Sequence, residues 1–204
     1  MMNKLLFLFL SLFIIQGCTS YSSTTDIKAN ITKTDVISIP KPVFSSSEKS
    51  TVLLTTNYQN DKRKLIVLTE NTEDKLVLTG VTTSYINLFT LTYTKDELRL
   101  ETKLPQSMLP PVNQVLLDIM LCKSENLDIE LNENFIVKDS IDKRIITDKN
   151  GKIIYNISFK NIKHKKLPVE IDNKEYAYKI YLKYLWFTLT HTVQYALLVQ
   201  TMNR

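Results

Sequence analysis

A strict alternation of apolar and threonine side chains runs through Asn87–Thr94, which reads NLFTLTYT. Phe89, Leu91 and Tyr93 fall on one face of this segment, and the threonines fall on the other. A period of two residues is typical of a β-strand with one buried face and one wetter face. We therefore expect a strand here that turns Phe89, Leu91 and Tyr93 towards the interior of the protein.

Similar patterns lie on both sides of this strand and are separated by short polar turns. Gly80 interrupts one of them, and a missing side chain there favours a bulge or bend that curves the sheet. Turns this short connect only antiparallel neighbours. The expected strands of this meander are Thr51–Tyr58, Lys64–Glu70, Lys75–Thr83, Ile86–Thr94 and Leu98–Thr102.

A helical periodicity follows the meander, within Leu109–Cys122. Pro111 suits the first turn of a helix, where its missing N–H costs nothing, and Gln114 and Asp118 fall on the side away from the apolar stripe. The stripe has the spacing i, i+3, i+4, i+7, i+8 of one helix face and consists of Val112, Val115, Leu116, Ile119 and Met120. It is interpreted either as core laid on the sheet or as a lid over a lipid-sized cavity.

Strand patterns return after the helix. Asn150-Gly151 is a strong signal for a two-residue hairpin turn, and the basic run Lys160–Lys166 is interpreted either as a solvated hairpin loop or as a contact for anionic lipid headgroups or a partner. Tyr184–Arg204 is predicted as a final strand plus an interfacial helix, since its Thr and Gln residues make a poor membrane span. The expected strands are Phe135–Ser140, Arg144–Asp148, Ile153–Lys160 and Lys174–Lys183.

The amino terminus has the pattern of a targeting signal. Lys4 precedes an apolar run, Leu5–Ile15, which is too short to span a bilayer. The run leads into Ile15-Gln16-Gly17-Cys18, which resembles the bacterial lipobox. That resemblance implies cleavage before Cys18, a diacylglycerol on its thiol, and an acyl chain such as palmitate on its new amine. The alternative is an ordinary secretory signal with a chance cysteine at its end.

Lipidation at Cys18 would fix the location of the chain. Thr19, not aspartate, follows the cysteine, and by the sorting rule of enteric lipoproteins this favours the outer membrane, on its periplasmic face. Thr19–Thr25 is rich in Ser and Thr and is predicted as a flexible spacer. The expected organisation is therefore a signal peptide over 1–17, a lipidated tether and lead-in over 18–50, and a single domain over 51–204.

Composition argues against catalytic chemistry. The chain has only two histidines, His164 and His191, with no metal-ligand spacing, and only three glycines, so no phosphate loop is expected. Cys122, the second of two cysteines, is expected to be a small buried hydrophobe. The formal net charge of +5 is spread along the chain and gives little support for an anionic partner. We expect no enzyme, no cofactor, no metal and no nucleic acid partner.

The order of motifs resembles a known family. The lipobox, the meander and the pattern Leu104-Pro105-x-x-x-Leu109-Pro110-x-Val112-x-x-Val115-Leu116-x-Asp118-Ile119-x-Leu121 look like a family of bacterial lipoproteins, domain of unknown function 3261. The resemblance covers about Thr51 to Leu182. It implies a fold similar to the lipoprotein-localisation proteins LolA and LolB, which is α+β and mainly β: a curved antiparallel half-barrel sheet covered by one or more helices around a hydrophobic cavity.

Two functions are compatible with this sequence. The first is an outer-membrane lipoprotein that binds or transfers a lipid or acyl moiety in the periplasm, such as an aryl polyene, a lipoprotein acyl group or a glycolipid, with a periplasmic carrier protein as a further partner. The second is a non-catalytic scaffold lipoprotein that recruits a protein partner. For the first, the expected cavity lining is Phe89, Leu91, Tyr93, Val115, Leu116, Ile119 and Met120.

Overall fold

A computed structural model describes residues 19–23, 26–42, 47–58, 61–105, 108–122, 131, 133–162 and 164–185. Within these residues the protein is mainly β. Eleven strands form one large curved antiparallel sheet that is not closed into a barrel, and two short strands form a separate hairpin. One short helix is present in the same ranges. The expected curved sheet covered by a helix is therefore confirmed.

The strands are bounded as follows: β1 Thr19–Ser23, β2 Lys28–Asn30, β3 Val36–Ser38, β4 Glu48–Tyr58, β5 Asp61–Thr72, β6 Lys75–Val81, β7 Asn87–Thr94, β8 Leu98–Thr102, β9 Phe135–Asp139, β10 Lys143–Asp148, β11 Ile153–Ile162, β12 Lys165–Asn173 and β13 Tyr178–Tyr184. The helix, α1, is Val112–Leu121. The order in the large sheet is β1-β8-β7-β6-β5-β4-β13-β12-β11-β10-β9. Two meanders, β4–β8 and β9–β13, thus join through the β4–β13 pair.

The registers define two opposite rims of this sheet. Thr19 pairs with Thr102, and Val81 pairs with Asn87. The ends of β6 and β8 and the starts of β1 and β7 therefore lie at one rim, which we call the Thr19 rim. At the other end of the strands, the end of β13 at Tyr184 pairs with Val52 near the start of β4, and this end is the Tyr184 rim.

The Ser/Thr-rich segment after residue 18 is a strand. Thr19–Ser23 pairs with β8 over its whole length, so the predicted flexible spacer is wrong for these residues. Without β1, the backbone N–H and C=O groups of β8 would lie unpaired at a sheet edge. Thr and Ser side chains accept an exposed edge position readily, and composition alone did not distinguish this from a solvated linker.

A hairpin that the sequence did not predict covers part of the inner face. β2 and β3 bury Ala29 and Ile37 on one side, together with the flanking Ile31. The Tyr93 hydroxyl of β7 donates to the backbone oxygen of Pro40 at 3.0 Å and holds the end of the hairpin against the sheet. The alternation in each strand is only three residues long, which is too short to stand out in the sequence.

Most of the expected turns and bends are present. The β6–β7 register shifts between Gly80 and Val81, as expected for a bulge at the glycine. Gly151, with a φ of 82°, lies in the expected hairpin between β10 and β11. The loop is longer than the predicted two residues, because the backbone hydrogen bond that closes it joins Asp148 to Lys152. The described residues of the basic run include the end of β11, the start of β12 and His164 between them. Strand β12 was missed, because Pro168 interrupts its pattern; the proline lies beside a bulge, where it is tolerated.

Gly80 makes room for an aromatic ring on the neighbouring strand. A Cβ atom on Gly80 would lie 2.2 Å from Cε1 of Phe89, its cross-strand partner. We expect Gly80→Ala to lower the free energy of unfolding by about 1–3 kcal/mol, because the ring has to leave its position. Urea unfolding measures this cost. In a Phe89→Ala background the cost should fall below about 1 kcal/mol, and an unchanged cost there would contradict the explanation.

Candidate functional site

The residues expected to line a cavity belong to the hydrophobic core. Leu91 and Tyr93 of β7 and Leu116 and Met120 of α1 are almost fully buried in one hydrophobic cluster. The three other expected lining residues, Phe89, Val115 and Ile119, are partly buried and pack against the same cluster. The structure thus places all seven side chains in, or packed against, one hydrophobic core. Their contact with a ligand stays a prediction.

A buried carboxylate connects α1 to the sheet. Tyr178 at the start of β13 donates its hydroxyl to both oxygens of Asp118, at 2.7 and 2.8 Å, and Tyr155 of β11 donates to Oδ1 at 3.0 Å. Gln114, one turn earlier on the helix, donates to the Tyr155 hydroxyl at 2.7 Å. Asp118 is only 5% exposed. The side of α1 opposite the predicted stripe is therefore buried at Asp118, which the sequence did not predict.

Burial changes the pKa of this carboxyl group. It raises the pKa of Asp118 from 3.8 to about 6, although the hydrogen bonds from Tyr178, Tyr155 and Gln114 act in the other direction. A shift of this size means that ionised Asp118 costs about 3 kcal/mol in the folded protein at neutral pH. Burial of the neighbouring Leu116, Leu117 and Leu121 outweighs this cost, at roughly 1.5–3 kcal/mol for each side chain.

A buried arginine holds the other end of the helix. Arg144 of β10 is 1% exposed and donates from Nη1 to the backbone oxygen of Leu121 at 2.7 Å. Its Nε and Nη2 donate to Asp139 of β9, and its guanidinium lies 5.6 Å from the centre of the Phe159 ring. The last carbonyl groups of a helix have no partner within the helix. Arg144 therefore caps α1 and ties it to the β9–β10 edge.

A cavity of about 740 Å³ opens beyond this end of the helix, at the Tyr184 rim. It lies among the ends of β11 and β13, the start of β10 and the middle of β12, and none of the seven expected residues lines it. Its apolar lining consists of Phe159, Ile162, Val169, Leu182 and Tyr184. The volume is within the roughly 300–1,000 Å³ typical of small-molecule sites.

Charged side chains surround the apolar part of the cavity. Lys143, Lys160 and Lys183 line it, and no ion pair joins any of them to another residue in the part of the chain that the structure describes. Of the two acidic residues in the lining, Asp142 and Glu170, the second lies 3.5 Å from Lys179. The cavity therefore combines an apolar floor with an excess of positive charge, which suits an amphiphile with an anionic head.

Cys122 lies between the helix network and the cavity. Burial raises the pKa of its thiol well above the usual range, and nearby Asp118 adds to the shift. Burial likewise raises the pKa of the Tyr184 hydroxyl, with further contributions from Cys122 and Glu48. A thiol in this state is a poor nucleophile. Cys122 is only partly buried and packs against the hydrophobic core, so it differs from the fully buried hydrophobe that was expected.

Other features of the sequence lie partly outside the described ranges. Cys18 and residues 186–204 of the expected terminal helix are among them. Within the described residues, no group of three His, Cys, Asp or Glu side chains is placed to hold a metal ion. In the same part of the chain, no helix combines the length and apolar character that crossing a bilayer requires.

Comparison with known proteins places the chain in a family. A family model described as "Protein of unknown function (DUF3261)" matches residues 50–186, about two thirds of the chain. The chain belongs to this family, which confirms that part of the expected resemblance. The match runs from Ser50 in β4 to beyond the end of β13 and includes the helix network and the whole cavity lining. No curated protein matches the chain.

The raised pKa of Asp118 makes stability depend on pH. The folded protein binds a proton at this site up to about pH 6, whereas the unfolded chain releases it near pH 4, so stability falls as pH rises between these values. From pH 5 to pH 7 we expect this residue alone to remove about 1 kcal/mol of unfolding free energy. The Asp118→Asn side chain cannot ionise, so the unfolding free energy of this variant should lack that pH-dependent contribution.

Urea unfolding of both proteins at pH 5 and pH 7 measures the effect. The asparagine variant is expected to be less stable than the parent at pH 5 and to lose less stability on going to pH 7. Parallel pH profiles for the two proteins would show that Asp118 does not titrate in this range.

Proposed function

We propose that this protein is an outer-membrane lipoprotein, lipidated at Cys18, that binds an acyl or polyene chain with an anionic head in the periplasm. The cavity at the Tyr184 rim carries this proposal. Its size, its apolar floor and its three lysines match the two parts of such a ligand. Binding of this kind needs no catalytic group, since burial of apolar surface contributes roughly 25 cal/mol per Å².

The position of the cavity differs from that expected from the sequence. Leu116, Leu117 and Met120 fill the space directly beneath α1, so we propose that the ligand enters beside the helix, between its C-terminal end and strands β11–β13. In this arrangement Phe159 and Leu182 contact the apolar chain, and Lys160 and Lys183 lie at the head. A kinship with the LolA and LolB half-barrel is part of this proposal.

The packed space beneath α1 also favours the second candidate, a scaffold lipoprotein with no ligand in its interior. A filled core is what such a protein requires. In this case the cavity at the Tyr184 rim is a surface depression that contacts a protein partner. Lipid binding to a correctly folded protein distinguishes the two candidates, because a scaffold lipoprotein is not expected to bind a lipid in its cavity.

Leu182 and its neighbour on the same strand provide a matched test. Leu182 lines the cavity, whereas the neighbouring Tyr181 is exposed and is not part of the cavity lining. We expect Leu182→Gln to weaken binding of a fluorescent polyene fatty acid at least fivefold, because the amide places a polar group against the apolar chain. Tyr181→Ser should leave the affinity unchanged.

The titration uses the chain from Thr19 onward, which keeps every described strand, and circular dichroism and thermal melting check that each variant is folded. Fatty acids of several lengths and degrees of unsaturation should be compared. Absence of binding by the folded parent across this panel, or equal binding by Leu182→Gln, would refute the lipid-binding proposal and favour the scaffold.

A further inference from the structure

The strand register places Thr19, the residue that follows Cys18 in the sequence, at the Thr19 rim. Thr19, the first residue of β1, pairs with Thr102 at the end of β8, and the same Thr102 pairs with Phe89 of β7. Cys18 is bonded directly to Thr19, and consecutive Cα atoms are about 3.8 Å apart. A lipid chain on Cys18 would therefore attach to the rim of the sheet itself, with no spacer to keep that rim away from a bilayer.

Large apolar side chains are exposed at the same rim. Tyr85 and Ile86 lie in the turn between β6 and β7, and Met108 lies in the connection from β8 to α1. Each has more than half of its surface exposed, with Ile86 at 61%. Exposed aliphatic and aromatic residues that lie close together in the fold are typical of an interaction surface.

The β6–β7 turn holds its apolar residues in a defined position. The Thr82 side-chain oxygen accepts from the backbone N–H groups of Ser84 and Ile86, at 3.2 and 3.0 Å. The Thr82 N–H donates to the oxygen of Ile86, and the Tyr85 N–H donates to the oxygen of Thr82. Tyr85 has a φ of 61°, which a residue other than glycine seldom adopts. The turn is therefore hydrogen-bonded into a shape that leaves Tyr85 and Ile86 outside the core.

Basic side chains accompany these apolar ones. Ile66 of β5 pairs with Val81, so residues 61–65 continue beyond the end of β6 as a projecting hairpin with β4. Lys62 and Lys64 on this projection, and Lys103 after β8, are exposed. None of the three has an ion pair in the described part of the chain, whereas Arg63 is paired with Asp61. The rim therefore presents unpaired positive charge beside apolar side chains.

We propose that the Thr19 rim is a membrane-contact surface that lies on a bilayer containing anionic phospholipids. Tyr85 and Ile86 insert at the level of the headgroups, where aromatic and aliphatic side chains are both stable. Lys62, Lys64 and Lys103 contact phosphate groups of the lipids. The inference rests on the proposed lipidation of Cys18. Contact at the Thr19 rim would orient the molecule so that the cavity at the Tyr184 rim is directed towards the periplasm.

A fluorescent probe at two matched positions tests this orientation. Ile86 and Ile141 are both exposed isoleucines, but Ile141, which is 81% exposed, lies between β9 and β10 at the Tyr184 rim. The full chain carrying Ile86→Cys or Ile141→Cys is labelled with an environment-sensitive thiol dye. Both labelled chains also carry Cys122→Ala, because Cys122 is only partly buried and its thiol would compete for the dye. The labelled proteins are placed in phosphatidylethanolamine–phosphatidylglycerol vesicles that contain brominated acyl chains.

We expect the bromine atoms to quench at least half of the fluorescence at position 86 and less than a tenth at position 141. Replacing phosphatidylglycerol with phosphatidylcholine should reduce the quenching at position 86. Equal quenching at both positions, or quenching at position 141 alone, would overturn the proposal. No quenching at position 86 in protein that remains on the vesicles after a high-salt wash would also overturn it and would indicate a protein partner for this rim.

A Cys18→Ser chain separates this result from the proposed lipidation. If Cys18 is lipidated, the peptide that begins with it has the added mass of the acyl chains, and the serine variant washes off the vesicles. A parent chain without the added mass refutes the anchor, and the proposed membrane contact falls with it. A lipidated chain with an unquenched probe at position 86 refutes only the contact surface.

Discussion

The position of α1 on the sheet depends on two polar attachments within an apolar interface. Tyr178 and Tyr155 donate to Asp118 in the middle of the helix, and Arg144 caps its last turn at Leu121. The hydrogen bonds offset part of the cost of burying a carboxylate and require the donors to lie on particular strands. They hold the helix in one place on the sheet. The inner face beneath it is consequently filled, and the cavity of about 740 Å³ lies beyond the end of the helix.

Sequence periodicity predicted the parts of the fold that depend on neighbouring residues. The burial of Leu91 and Tyr93 and the helix around Leu116 followed from periods of 2 and 3.6. The burial of Asp118 was not predicted, because its hydrogen-bond donors lie 37 and 60 residues away in the sequence. No local pattern shows such partners, and a carboxylate on a helix is usually solvated.

The cavity was missed for the same reason. Phe159, Val169 and Leu182 come from three strands and meet only through the register of β11, β12 and β13. Strand β12 was not predicted, so the pairing of these three strands could not be predicted either. The motif that carried the family resemblance ends at Leu121, short of every residue in the cavity lining. The proposed lipid site and the proposed membrane-contact rim are both formed by residues that are far apart in the sequence and meet only through strand pairing.

The two proposals assign different roles to the two rims of one sheet: attachment at the Thr19 rim and ligand binding at the Tyr184 rim. Photolabelling with a diazirine fatty acid tests the ligand site most directly, since the adduct marks the residues that contact the chain. Mass spectrometry should find saturable adducts in peptides containing Phe159, Val169 or Leu182, competed by unlabelled fatty acid. Adducts confined to the core segments 89–93 and 115–120, or no saturable labelling, would contradict the proposal.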